Sequence, residues 1–193
     1  VRFFLNGVHV GGNVTVTNGH RLIIQPGGVS VGGIVPTDTA KKIPTDISGQ
    51  VFMSKTMMTI KNDGYKFKTK LIDGNYPDAA RAVGKPEKHA SVDVDSMREA
   101  IKAAMITVDQ STPTARIIID GDSATIQTVS GKQEKSVVEF SARSSDQIDM
   151  AFNAKYLLDA ISFYAGEIEL GFASNQLIID KDGIKNVVMM VRV

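Results

Sequence analysis

The 193 residues hold 22 basic and 21 acidic side chains, a net charge of +1, with 42% apolar and 22% charged residues. Such a chain has room for one large globular domain or two of about 100 residues, each with its own core. The absence of cysteine excludes disulfides, thiolate metal sites and cysteine nucleophiles, and suits a reducing cytoplasm. No run approaches the roughly 18 apolar residues that span a bilayer, and no charged-then-apolar signal segment opens the chain. The near-zero net charge leaves DNA contact only to a local basic face, weak and salt-sensitive.

In chain order, the first strand group covers residues 2–25, with alternation over 14–24. The glycine pairs Gly27-Gly28 and Gly32-Gly33 read as a flexible hairpin loop. A short helix over 37–42 is cut by Pro44, and a second strand group covers 50–60 and 65–72. The dipeptides Asn6-Gly7, Asn18-Gly19, Asp63-Gly64, Asp73-Gly74, Asp120-Gly121 and Asp182-Gly183 predict tight turns with positive φ. Residues 75–88, with two prolines and several charges, mark a domain junction, dividing the chain into 1–76 and 77–193.

Beyond the junction, Ser96-Met97-Arg98-Glu99 fits a capping box, with Asp95 as a competing cap. Met97, Ile101, Met105 and Val108 follow as one helical stripe to residue 108. Strands are expected at 116–119, 124–129 and 137–142. A second helix over 153–165 packs Tyr156, Leu157, Ile161 and Tyr164 and stops at Gly166. Strands at 167–172, 176–179 and 186–193 close the chain. One helix then three strands, twice over, predicts an α+β domain of two pseudo-symmetric repeats with both helices on one face.

Catalytic patterns are lacking. His9, His20 and His89 are too scattered for a metal motif, and Gly28-x4-Gly33 is followed by Ile34-Val35 rather than the Lys-Ser/Thr of a phosphate loop. Asp120 and Asp122 flank a turn glycine, where carboxylates form turns more often than acid–base pairs. No catalytic role, metal or cofactor is expected.

Four segments resemble the bacterial DNA polymerase III beta subunit, the sliding clamp. Arg2-Phe3-Phe4-Leu5-Asn6-Gly7 is similar to the family's R-Y-Y-L-N-G strand, and Thr17-Asn18-Gly19-His20-Arg21-Leu22 to its T-D-G-H-R-L turn. Residues 70–78 match K-L-[VI]-D-G-x-[FY]-P-D, and Phe152-Asn153-Ala154-Lys155-Tyr156-Leu157-Leu158 resembles F-N-x-x-Y-[VL]-L. The resemblance implies the clamp fold over most of a second domain and all of a third; the helix that precedes Arg2 in that plan is not in this sequence. It further implies a homodimer ring around duplex DNA, bound without sequence preference, in the cytoplasm at the nucleoid. Polymerases and clamp loader would dock short linear peptides in a groove between the two domains.

By the same resemblance, the apolar part of the groove falls on Leu5, Thr17, Gly19, His20, Arg21, Leu22, Pro77, Arg81, Ala82, Val187 and Met189. The second part falls on Arg2, Phe4, Asn153, Tyr156, Met190, Val191 and Arg192. A Leu/Phe anchor needs an apolar pocket, and polar rim groups bond the peptide backbone. Each residue also has an ordinary reading. Asn18-Gly19 needs only a hairpin, Pro77 a linker, Leu5, Leu22, Val187 and Met189 a core, and Asn153 and Tyr156 a capped helix. Their joint occurrence in the family's order carries the functional reading.

The chain departs from the family pattern at its C-terminus, where V-V-M-P-M-R-L becomes residues 187–193 without the proline. Y-R-R-V becomes Ala79-Ala80-Arg81-Ala82, which enlarges the expected pocket. DNA contacts would come from Arg98 and Lys102, one turn apart opposite the Met97 stripe, from Lys155, with Lys41 and Lys42 as further candidates, and from Phe3, which replaces a tyrosine as Phe4 does. A solvated helix face explains the same cations. Thr37 and Asp38 replace a basic pair of the family, which weakens the DNA reading. Lys66, Lys68 and Lys70 line one side of a strand and read as edge protection. An alternative is a clamp-like peptide-binding adaptor or decoy that does not encircle DNA.

Overall fold

A computed structural model describes residues 3–45, 47–107, 113–129 and 135–192. The chain divides into two compact units, Val1–Ala82 and Val83–Val193. No helix among the described residues is long and apolar enough to cross a membrane.

In the second unit, strand β8 (Lys88–Asp93) leads into helix α2 (Val94–Ala104) and strands β9 (Thr114–Gly121), β10 (Ser123–Val129) and β11 (Lys135–Glu139). The pattern repeats as β12 (Ala142–Asn153), α3 (Ala154–Ile161), β13 (Glu167–Ala173), β14 (Gln176–Lys181) and β15 (Ile184–Met189). Each repeat therefore has a strand ahead of its helix that the sequence reading did not include. β8 alternates His89-Ala90-Ser91-Val92-Asp93, with Ala90 and Val92 buried, a signal the reading passed over, whereas β12 carries an irregularity between Ser144 and Ile148 that breaks its period. The eight strands run in the order β11-β10-β9-β12-β8-β13-β14-β15, all pairs antiparallel. The first strand of each repeat pairs with the second strand of the other, β8 with β13 and β12 with β9. The repeats thus interlock.

Both helices cover one face of this sheet. Val94, Met97, Ala100, Ile101 and Ala104 of α2 and Ala154, Leu157, Ala160 and Ile161 of α3 are buried against Ile117, Ile119, Ile126, Phe152, Leu170 and Leu177. Burying each large aliphatic contributes about 1.5–3 kcal/mol. The N-cap of α2 is neither Ser96 nor Asp95. Asp93, extended at the end of β8, accepts from Ser96 N at 2.7 Å, so the helix starts two residues ahead of the expected capping box. Ser96 Oγ instead accepts from Ser141 N. The helix passes into a 3-10 turn at Met105–Thr107, so the expected stripe ends in irregular structure and Val108 lies outside the described residues. Thr128 Oγ1 donates to Ala104 O at 3.0 Å and closes the C-terminal end.

In the first unit, a 3-10 turn at Phe3–Asn6 occupies what reads as a strand, and the Phe3 and Phe4 rings meet edge to face there. Strands β1 (Gly7–Val10), β2 (Asn13–Thr17), β3 (Arg21–Pro26) and β4 (Gly33–Pro36) form one antiparallel sheet in the order β3-β2-β1-β4. Helix α1 is only Thr37–Ala40. Residues 50–72 form a second sheet of three strands, β5 (Gln50–Met53), β6 (Met57–Lys61) and β7 (Lys66–Lys70), with a hairpin inside the expected first strand. Among the described residues of this unit α1 is the one α-helix, where the sequence showed a single short one over 37–42. Lys66, Lys68 and Lys70 are exposed on the edge strand β7.

Three turn readings change, one of them at Asp63-Gly64, where neither residue takes a positive φ. The glycine-rich loop is no hairpin, since β4 pairs with β1 and the loop crosses from one edge of the sheet to the other. Gly7 has no positive φ; a side chain there would collide with Ile34 and the Val35 carbonyl. Asp182-Gly183 forms a two-residue turn with both φ positive, at 54° and 78°.

Two stability outcomes follow. Asp93→Ala removes the acceptor for Ser96 N and lowers unfolding free energy by about 1 kcal/mol, while Asp93→Asn keeps most of it, read from urea midpoints. Gly28 sits at φ 143° with its missing Cβ directed at the Gly11 carbonyl, which also accepts from Val29 N. Gly28→Ala is expected to cost about 2 kcal/mol or more in the same assay.

Candidate functional site

The first unit builds a local platform from its β2–β3 turn. Asn18 Oδ1 accepts from His20 N and Arg21 N, both at 3.0 Å, and Thr17 Oγ1 donates to Arg21 O at 2.7 Å and accepts from Gly19 N. Gly19 takes φ 89°, which closes the turn. These bonds fix the order of the exposed Gly19 and His20, the half-buried Thr17 and Arg21, and the buried Leu22.

Tyr76 joins this turn to the segment that follows. Its hydroxyl accepts from Thr17 N at 2.9 Å, and its ring stacks on His9 at 5.1 Å. Burial pushes the Tyr76 phenol up, against the opposing effect of the Thr17 bond, and pushes the His9 imidazole down. Both rings are neutral near pH 7. Pro77 follows exposed, Arg81 pairs with Asp78 at 3.0 Å in solvent, and the 3-10 turn Ala79–Ala82 lies against β3. Thr17–Leu22 and Pro77–Ala82 are thereby tied through a residue that the sequence reading left out. Its signal was a tyrosine in the same motif as Pro77. Leu5 lines a different cleft, of about 570 Å³, with Phe3, Pro36, Thr37 and Ile72. Phe4 packs edge-on against Phe3 at 6.1 Å, and Arg2 lies outside the described residues.

The second unit builds another platform at the α3 N-terminus. Asn153 caps the helix through Lys155 N at 3.0 Å and Tyr156 N at 3.2 Å, which leaves Tyr156 half-buried beside it. The C-terminal segment returns to the same place. Val191 N donates to Ala151 O at 2.7 Å, Met190 N donates to Asn175 O, and Phe152 bridges Met190. Asn153, Tyr156, Met190 and Val191 are therefore brought together, and the exposed Arg192 follows. In β15, Val188 belongs to the core under the helices, so Val187 and Met189 face the other side of the sheet. Val187 is 3% exposed and lies opposite Ile178, itself 4% exposed and outside that core. Ile178 thus belongs with Val187 and Met189. The sequence hid it because Leu177, Ile178 and Ile179 are a continuous apolar run, with no polar face to separate.

The cations expected at DNA are differently employed. Arg98 is only 24% exposed, is paired with Asp95, and donates to Tyr164 O at 3.0 Å. Its guanidinium holds the residues that follow α3 to α2. Lys102 is exposed but paired with Glu99 at 2.9 Å. Lys155 and Phe3 are exposed, as are Lys41 and Lys42. No group of three or more metal-ligating side chains occurs among the described residues.

The family described as DNA polymerase III beta subunit, C-terminal domain, matches residues 84–192, more than half of the chain. The beta sliding clamp of Caulobacter vibrioides is 28% identical over 221 aligned residues, covering 100% of this chain and 59% of the relative. That of Escherichia coli strain K12 is 25% identical over 179, covering 84% of this chain and 49% of the relative. Across such curated relatives this chain spans between 35% and 59% of their length. The fold is that of the solved Caulobacter crescentus beta sliding clamp, with a TM-score of 0.91 at 22% identity over 100% of this chain and 58% of that one. The Pseudomonas aeruginosa DNA polymerase III subunit beta superposes with 0.89 at 23% identity, over 100% of this chain and 60% of that one. With the clamp fold and the family's C-terminal domain both present, this chain belongs to the DNA polymerase III beta subunit family.

Proposed function

We propose that the chain acts as part of a sliding clamp, a non-catalytic platform that docks the linear peptides of polymerases and clamp loader in a ring around duplex DNA. The observation that carries the reading is the return of the C-terminal segment to the capped start of α3. It groups Tyr156, Met190 and Val191, residues from distant parts of the sequence that share no catalytic pattern. Val187 and Ile178, both buried, back the half-buried Met189 on the sheet face away from the helices, and buried Leu22 underlies the rigid Thr17–Arg21 turn. An apolar anchor seated on fixed side chains, with backbone groups at the rim, is what peptide docking needs.

DNA would be held loosely. With Arg98 tied to Tyr164 O and Lys102 paired with Glu99, and with one excess positive charge over the whole chain, phosphate contacts are few. Few contacts give a shallow dependence of affinity on salt, which suits a ring that must slide.

Fluorescence polarisation of a labelled peptide with a glutamine followed by a Leu/Phe anchor tests the docking. Micromolar binding is expected, weakened at least about tenfold by Tyr156→Ala and by removal of Arg192-Val193. A folded chain that ignores the peptide, or binds it equally in both variants, would overturn the assignment.

A further inference from the structure

The turn that carries Thr17 to Leu22 is held from outside its own hairpin. The pairing of β2 with β1 runs over Val10–Val14 and His9–Thr15, whereas β2 continues to Thr17. Asn18 N bonds Arg21 O on the β3 side, so the alternation of an antiparallel ladder turns the N–H of Thr17 toward the β1 side. There it donates to the Tyr76 hydroxyl, at 2.9 Å. One phenol oxygen thus takes the place of a strand at the last residue before the turn. Thr17 also governs the turn from within, since its Oγ1 accepts from Gly19 N and donates to Arg21 O. A shift of the Thr17 backbone therefore carries Gly19 and Arg21 with it.

Tyr76 is placed in its turn by His9. The two rings stack at 5.1 Å with 16° between their planes. No described residue hydrogen-bonds the imidazole, so packing alone fixes it. Its remaining contacts are with glycines. A Cβ at Gly11 would lie 2.9 Å from His9 Cε1, and one at Gly32 would lie 3.3 Å from Nε2. Neither glycine has a positive φ, so what they supply is room for the ring and not backbone freedom. The loop between β3 and β4, which as a sequence suggested only a flexible connection, gives His9 its seat. A continuous line of contact then runs from Gly11 and Gly32 through His9 and Tyr76 to Thr17, all within the first unit.

We propose that Tyr76, seated on His9, is the positioning residue of the peptide-docking turn, and that it holds Thr17–Leu22 in the form that receives an apolar peptide anchor. This role rests on the docking function proposed above. A turn ordered before the peptide arrives has less entropy to lose on binding, so the hydroxyl acts on affinity without touching the peptide. Ring and hydroxyl are separable. Tyr76→Phe keeps the stack on His9 and leaves Thr17 N–H without its acceptor, whereas His9→Ala keeps the hydroxyl and removes the surface that aims it.

The test pairs fluorescence polarisation with amide exchange on the 193-residue chain. The probe is a labelled peptide with a glutamine followed by a Leu/Phe anchor, and exchange is followed without peptide. Tyr76→Phe is expected to weaken binding at least about fivefold. It should also speed exchange at Thr17, Gly19, His20 and Arg21, with Met58 and Ile60 of β6 unchanged. His9→Ala should do the same, and His9→Phe, which restores a ring against Tyr76, should recover binding to within about twofold of wild type. Unchanged binding by Tyr76→Phe and His9→Ala would overturn the positioning role and leave peptide docking standing. A wild-type chain that ignores the peptide would overturn docking itself, and the positioning role with it. Weakened binding with unchanged exchange would make Tyr76 a direct peptide contact. Faster exchange throughout both sheets would make it a support of the fold, and either of these results also overturns the proposal.

Discussion

The second unit depends on one strand that is hydrogen-bonded along both edges. β8 fixes the register of β13 from Asp93–Glu167 to Lys88–Phe172 and meets β12 at Val92–Ala142. It buries Ala90 and Val92 and ends in Asp93, whose carboxylate starts α2. A strand in that position cannot slip by one residue without turning its buried side chains outward on two interfaces at once. The helices, the core and the crossing of the two repeats all follow from its placement.

The same interlock sets the candidate site. Because β12 is held along β9, its last residues present Ala151 O to Val191 N and Asn153 to the first turn of α3. The C-terminal segment therefore lies beside Tyr156 by backbone bonding and not by side-chain affinity alone. A surface fixed in this way has little conformational entropy left to lose in a further contact. In the first unit Tyr76 has the equivalent effect, since its hydroxyl and ring tie the Thr17–Leu22 turn to the segment after Gly74.

Electrostatics is subordinate in this design. The carboxyl of Asp149 is held below its usual range by the Arg116 guanidinium beside it across the β9–β12 pair. Glu167 is likewise held down by Ser91 and Arg143. These pairs are exposed, so each adds little to stability. They do consume cations, as Arg98 and Lys102 are consumed on α2. What remains is a nearly neutral protein.

The sequence by itself determined what depends on neighbours a few residues away. The stripes of α2 and α3, the Asn153 cap, the Asn18-Gly19 and Asp182-Gly183 turns, and the repeated helix-then-strands order are all local consequences of residue type and period. The family motifs added the grouping of Leu22, Pro77, Tyr156 and Val187 as an expectation. The tertiary structure alone decided what depends on pairing over long separations. β8 and β12 are strands because partners far along the chain complete their ladders, and Asp93 caps α2 because β8 delivers it there. Arg98 turns inward because Tyr164 O, 66 residues away, offers an acceptor. Ile178 joins Val187 only through the register of β14 and β15. Local periodicity can mark a strand, as the alternation of β8 does, but it does not name the backbone that lies opposite, since a ladder places few demands on the identity of the side chains.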